Sequence, residues 1–136
     1  MAERFVLDAY AVLALLDDEP GADDVAAILS AQDCEILISA INVGEVDYIL
    51  RRRAGVEKAR AAEDAVYDHP RIQIAEATRD RIRAAAELKA GGGLSLGDAF
   101  AAALARELEA ALVTGDPEFK RLEGEGLRLR WLAPST

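Results

Sequence analysis

One cysteine, Cys34, stands in 136 residues, so no disulfide can form within the chain. A lone thiol suits a reducing cytosol, where it packs as a small apolar residue. Apolar runs are short, and none approaches the roughly 18 residues needed to cross a bilayer. The opening Met1-Ala2-Glu3-Arg4 runs straight into a strand pattern and lacks the order of a secretory leader; the expected location is the cytoplasm. Basic residues are in deficit too, sixteen against twenty-five acidic ones, for a net charge of −9. That argues against affinity for nucleic acid through bulk charge. Any nucleic-acid substrate has to be held by a bound cation and by local basic patches. There is no repeat, linker or low-complexity tail, although alanine is abundant, and the length suits one domain (1–136) with a real core.

The apolar pattern alternates between strand and helix. Phe5-Val6-Leu7 predicts a short buried strand, followed by a helix over Ala9–Leu16 and a break at Glu19-Pro20-Gly21. Val25, Ile28 and Leu29 share one face of the next helix. A second strand is predicted over Glu35–Ile38. Ser39 then caps a helix carrying Val43, Val46, Ile49 and Leu50, which Gly55 ends. A further helix from about Val56 to Asp68 stops at His69-Pro70, a turn in which His69 is structural. Arg71–Ile74 predicts strand three, and Thr78 caps a helix that stops at Gly91-Gly92-Gly93. Another helix is expected from Asp98 to about Ala110, then strand four over Ala111–Thr114. After a short helical stretch, Leu127, Leu129 and Trp131 alternate with Arg128 and Arg130 as a last strand, with Trp131 packing in the core or an interface.

Such alternation means an α/β fold with a mainly parallel sheet flanked by helices. Sheets of this kind bind ligands beyond the carboxyl ends of their strands, where the strand order reverses. Four acids fall on that edge. Asp8 closes the first strand, Glu45 lies in the early turns of the helix after the second, Asp98 opens a helix, and Asp116 follows the fourth strand. Carboxylates gathered from distant parts of a chain repel one another unless a hard cation is held among them, and oxygen ligands are what Mg²⁺ or Mn²⁺ prefers. The pattern points to a metal-dependent enzyme acting on phosphate esters. Taken singly, the acids have plainer readings. Asp98 serves equally as a helix cap, and Asp116-Pro117 is a good cap with proline at the first helical position. Asp8 ends a buried strand with no turn chemistry after it, which favours function. Asp17, Asp18, Glu19, Asp23 and Asp24 read as a solvated loop and helix start.

The motifs resemble those of a known family. Val6-Leu7-Asp8 with its alanine-rich helix looks like the first acidic motif of PIN-domain nucleases. Ser39 through Asn42-Val43-Gly44-Glu45-Val46 resembles the second, and Leu94-Ser95-Leu96-Gly97-Asp98-Ala99 the third. Val113-Thr114-Gly115-Asp116-Pro117-Glu118-Phe119 resembles the fourth. Order, spacing and length together look most like the VapC-type toxins of toxin–antitoxin pairs, over nearly the whole chain. The resemblance implies a single PIN-like domain with Mg²⁺- or Mn²⁺-dependent endoribonuclease activity, commonly dimeric and blocked by a cognate antitoxin protein. One departure is that many relatives carry a second aspartate where Glu118 stands, which bears on help to a second metal.

Phosphodiester cleavage needs an activated water, a polarised phosphoryl group and a stabilised leaving oxygen. A carboxylate-held cation supplies all three, and two ions about 4 Å apart do so more fully; the sequence leaves one metal or two open. Asp8, Asp98 and Asp116 are the expected principal ligands, with Glu45 ligating or orienting the attacking water. Thr114 and Ser39 are expected to place hydroxyls in the site, Thr114 as a contact for substrate. Of Arg51-Arg52-Arg53, Arg52 falls seven positions after Glu45 and about 10 Å along the helix, on the same face. It suits a substrate phosphate, although the arginines equally suit solvent or the chain's own acids. A haloacid-dehalogenase-type phosphatase wants an aspartate where Tyr10 stands, and a receiver domain wants a lysine that Val113-Thr114-Gly115-Asp116 lacks. A housekeeping RNA-processing nuclease and a catalytically silent metal- or RNA-binding module remain the alternatives.

Overall fold

In the computed structural model, which describes residues 2–133, five strands form one wholly parallel sheet in the order β3-β2-β1-β4-β5. The strands are β1 (Glu3–Leu7), β2 (Cys34–Ser39), β3 (Ile72–Ala75), β4 (Ala111–Thr114) and β5 (Arg128–Trp131). Between and after them run α1 (Ala9–Leu16), α2 (Ala22–Ser30), α3 (Ala40–Ala54), α4 (Val56–Asp68), α5 (Arg79–Ala90), α6 (Leu96–Glu107) and α7 (Lys120–Glu123), with one 3₁₀ turn at Pro117–Phe119. No helix among the described residues is long and apolar enough to cross a membrane.

Strand side chains alternate between the two faces, and the core divides accordingly. Leu7, Ile36, Ile38 and Val113 pack under α1–α4 with Val25, Val43, Val46 and Val66. Val6, Leu112 and Ala75 pack on the other face with Phe100, Leu104, Phe119 and Leu127. Trp131 joins that second core, half-buried. Both faces of β1 and β4 are covered, which is why their sequences read as unbroken apolar runs.

The expected elements are present, with boundaries displaced by a residue or two. β2 extends to Cys34 because the ladder to β1 begins at Glu3↔Cys34, and to Ser39 because that residue pairs with Ala75 of β3. β3 starts at Ile72 and ends at Ala75, one residue later than expected, in register with Ile36 through Ser39. His69 is structural, its Nδ1 accepting from the Arg71 amide at 3.0 Å. The helix expected to open at Asp98 opens at Leu96, because Ser95 is its cap.

Strand order places the site. From β1 the chain steps to β2 on one side and, much later, to β4 on the other. The reversal therefore lies between β1 and β4, where Leu7 pairs with Val113. The residues that follow, Asp8 and Thr114, emerge side by side at the carboxyl edge, the position where open parallel sheets leave a crevice.

Candidate metal centre

Asp8 is buried, 2 % exposed, and the structure corrects the reading that it has no turn chemistry. It is the N-cap of α1, its carboxylate accepting from the Ala11 amide at 2.8 Å. Burial pushes this carboxyl up to about 7. The Thr114 hydroxyl and the Ala11 amide hold it down, while the charges of Asp98 and Asp116 push it further up. A capping aspartate in an ordinary turn has no reason to be so hard to ionise.

Thr114 is fully buried. Its hydroxyl donates to Asp8 and accepts from the Asp116 amide at 3.0 Å. The expectation of Thr114 as a substrate contact is thereby corrected: the hydroxyl is turned inward and ties two acids of the site together. Asp116 caps the 3₁₀ turn, accepting from the Glu118 amide at 2.9 Å, as the Asp-Pro pair predicts. Ser39 departs similarly. Its hydroxyl caps α3 by accepting from Ile41 at 3.2 Å, and it lines a small cleft with Ala75, Phe100 and Leu104 in which none of Asp8, Glu45, Asp98 and Asp116 takes part.

Asp98 is released from the capping role that its sequence position allows. The Ser95 hydroxyl accepts from the Asp98 amide at 3.1 Å and also holds the Asp98 carboxylate down through a side-chain hydrogen bond, so Ser95 is the cap and Asp98, in the first turn of α6, faces the other acids. Carboxylate oxygens of Asp98, Asp116 and Glu118 all lie within 4.8 Å of one another. Burial raises Asp98 to about 6, with Asp116 the next cause and Glu45 and Glu118 adding to it. Asp8 thus lies behind the trio, and Glu45 approaches Asp98 from α3. Glu118 is the member not counted among the principal ligands by sequence reasoning. Its extra methylene lets it reach the others from the exposed end of the 3₁₀ turn.

Glu45 is half-buried, and burial raises its carboxyl while Asn42 lowers it. Asn42 Nδ2 donates to Glu45 Oε1 at 2.6 Å and to the Gly97 carbonyl at 3.0 Å. Arg52 stands on the same side of α3, exposed, with its guanidinium 5.6 Å from the ring centroid of Tyr48. Arg51 is instead paired with Asp47 at 2.9 Å.

The donor set consists of carboxylate oxygens from the ends of β1 and β4 and from the early turns of α3 and α6, and three of its members, Asp8, Glu45 and Asp98, ionise with difficulty where they stand. Like charges held this close are stabilised by a hard divalent cation that accepts oxygen ligands, and the residues present fit Mg²⁺ or Mn²⁺ in donor type.

The fold is shared with known proteins. VapBC2 from Rickettsia felis, solved bound to a promoter DNA fragment, superposes with a TM-score of 0.73 at 20% identity, over 95% of this chain and 98% of that one. Mycobacterium tuberculosis VapC20, described as a sarcin-ricin loop cleaving toxin, gives 0.70 at 19% identity over 88% and 94%. DNA-bound VapBC from Salmonella typhimurium gives 0.70 at 18% identity over 96% and 98%. At such identities the likeness is one of fold. No curated protein matches the sequence significantly. A family model described as PIN domain matches residues 5–125, a span that takes in Asp8, Glu45, Asp98, Asp116 and Glu118, and this chain belongs to the PIN-domain family.

Proposed function

We propose that the chain is a Mg²⁺- or Mn²⁺-dependent endoribonuclease and the toxin of a toxin–antitoxin pair. The observation that carries this reading is the meeting of Asp98, Asp116 and Glu118 within 4.8 Å, beside the buried Asp8 at the point where strand order reverses. A divalent cation held there would polarise the phosphoryl group, lower the pKa of a bound water so that it attacks as hydroxide, and stabilise the leaving oxygen. Asp98 and Asp116 would hold the cation, with Asp8 contributing an oxygen or a water-mediated contact. Glu45, with Oε1 committed to Asn42, orients the attacking water with its other oxygen. Arg52 neutralises a phosphate of the same RNA strand one or two nucleotides away, which a chain of net charge −9 cannot do through its bulk field.

The toxin role is supported by the company the fold keeps. Structures similar to it include a toxin that cleaves the sarcin-ricin loop and toxin–antitoxin complexes seated on DNA. An acidic crevice on an acidic chain is complementary to a basic or mixed-charge antitoxin segment, whose arginine or lysine takes the place of the cation. We place a homodimer beside this, as relatives pair and apolar helix faces need cover.

Purified protein should cut single-stranded or loop RNA with Mg²⁺ or Mn²⁺ and stop with EDTA. Asp116→Asn should be folded and nearly inactive. Expression alone should arrest growth, and co-expression with the product of an adjacent small gene should restore it. A chain that cuts RNA yet is harmless at high level points to a housekeeping nuclease. Folded Asp116→Asn protein with full activity removes the site assignment.

A further inference from the structure

Glu45 is held in place by two uncharged residues, Asn42 and Gly97, drawn from the second and third acidic motifs. Asn42 sits one turn before it on α3, 1 % exposed. Its single amide nitrogen donates in two directions, to Glu45 Oε1 at 2.6 Å and across to the Gly97 carbonyl on α6 at 3.0 Å. The other amide atom, Oδ1, is buried and meets no donor among the described residues. A buried amide with an unmet acceptor is an expensive filler for a core, so its retention points to the work of its donor. The assignment of nitrogen and oxygen is fixed by the contacts, since both neighbours of Nδ2 are acceptors.

Gly97 supplies the second half. A Cβ built at this buried helical position would fall 2.2 Å from the Glu45 carboxyl carbon and one of its oxygens, and 2.5 Å from the other. Glycine is among the poorest helix formers, and Gly97 stands inside the first turn of α6. No positive φ calls for it there. Its use is the space, which the Glu45 carboxylate fills.

We propose that Asn42 and Gly97 are positioning residues for Glu45, fixing its carboxylate against the first turn of α6 beside Asp98 and thereby setting the affinity of the site for its divalent cation. This rests on the reading of the acids as a cation site. Asn42 commits one oxygen of Glu45 and leaves the other to the crevice. Gly97 admits the carboxylate to a place that any side chain at position 97 would close. The obstruction would be to the mobile end of a flexible side chain, so the backbone has no need to move when Gly97 is replaced.

Calorimetric titration of the metal-free protein with Mn²⁺ tests the proposal in a cycle of variants. Asn42→Ala should weaken Mn²⁺ binding about tenfold, in keeping with the loss of one hydrogen bond to a charged group. In a Glu45→Gln background the same substitution should change the affinity little, because the group it acts through is already neutral. A merely structural role gives equal losses in both backgrounds and overturns the proposal. So does wild-type affinity in Asn42→Ala. If that variant fails to fold, Gly97→Ala carries the test: it should melt at or above the wild-type temperature, yet bind Mn²⁺ as weakly as Glu45→Gln. Wild-type affinity in a folded Gly97→Ala protein overturns the proposal while leaving the cation site standing. Wild-type protein that takes up no Mn²⁺ at all overturns both.

Discussion

The ring of Tyr10 occupies the space that a side chain at position 115 would need: a Cβ built on Gly115 falls 2.3 Å from the ring. Tyr10 stands in the first turn of α1, two residues after the Asp8 cap, and Gly115 joins Thr114 to Asp116. The contact therefore packs the two halves of the site together. Gly115→Ala should displace either the ring or the Thr114–Asp116 backbone. We expect a loss of about 1–3 kcal/mol, the usual cost of overpacking, together with a larger loss of cleavage than of stability. Tyr10→Ala should partly offset Gly115→Ala, since the two share one space. Chemical denaturation and cleavage rates of the two single variants and the double check this. Strict additivity would show that the ring does not communicate with the site.

The metal-free protein should be more stable at mildly acid pH than at neutral pH. Folding raises the Asp8 carboxyl from 3.8 to about 7, so the folded state binds the proton more tightly than the unfolded one. The stability so gained is complete below the unfolded value and lost as pH rises through about 7. At about 1.4 kcal/mol per unit the loss is on the order of 4 kcal/mol for Asp8 alone, and Asp98, raised to about 6, acts in the same direction. Melting temperature should therefore fall between roughly pH 5 and 7.5. Asp8→Asn, an isostere that can still accept from Ala11, should flatten the fall, and excess Mg²⁺ should reverse it. Metal-free protein whose stability climbs over that interval would contradict the burial of these acids as an energetic fact.

The fold was legible because its signals are local. Ser39 and Thr78 cap helices where the sequence places them, and apolar runs mark strands buried on both faces. The ends of β2 and β3 were displaced because a parallel ladder extends according to its partner's length, which no side chain of the strand itself encodes. Two misreadings had a signal in the chain. The Ser95-x-x-Asp98 spacing is that of a cap and its third helical residue, and a single residue between β1 and α1 leaves Asp8 nothing to be but a cap. Asn42, Gly97 and Gly115 were illegible. Their roles depend on Glu45, α6 and Tyr10 arriving in space, and the Asn42–Gly97 contact spans 55 positions.

Arg52 and its neighbour Arg51 should behave differently toward RNA. Arg51 is bound at 2.9 Å to Asp47, four residues back on its own helix, whereas Arg52 rests over the exposed ring of Tyr48. A guanidinium stacked on an aromatic ring keeps its edge free for phosphate. Arg52→Ala should raise KM with little change in kcat, the mark of a contact made equally in ground and transition states. The slope of log KM against log salt should shrink by about 0.7, the value for one phosphate on a single strand. Arg51→Ala should do much less. Equal effects of the two, or a fall in kcat alone for Arg52→Ala, would remove Arg52 from the substrate path.

Glu118 is one methylene longer than the aspartate that the family resemblance implies in its place. The 3₁₀ turn begins at Pro117, and Asp116 fixes the turn by accepting the Glu118 amide at 2.9 Å. The backbone at position 118 is thus set by Asp116, and only the side chain decides how far the carboxylate extends. It extends far enough to bring an oxygen within 4.8 Å of both Asp98 and Asp116, while the rest of the residue stays exposed. An exposed carboxylate contributes little to folding, so its effect should appear in cation binding. Glu118→Gln should leave the melting temperature of the metal-free protein within a degree or so of wild type and weaken Mn²⁺ binding about tenfold. Glu118→Asp, shorter by one methylene, should fall between the two. Titrations that do not separate Glu118→Gln from wild type would make Glu118 a solvated bystander and leave the cation to Asp8, Asp98 and Asp116.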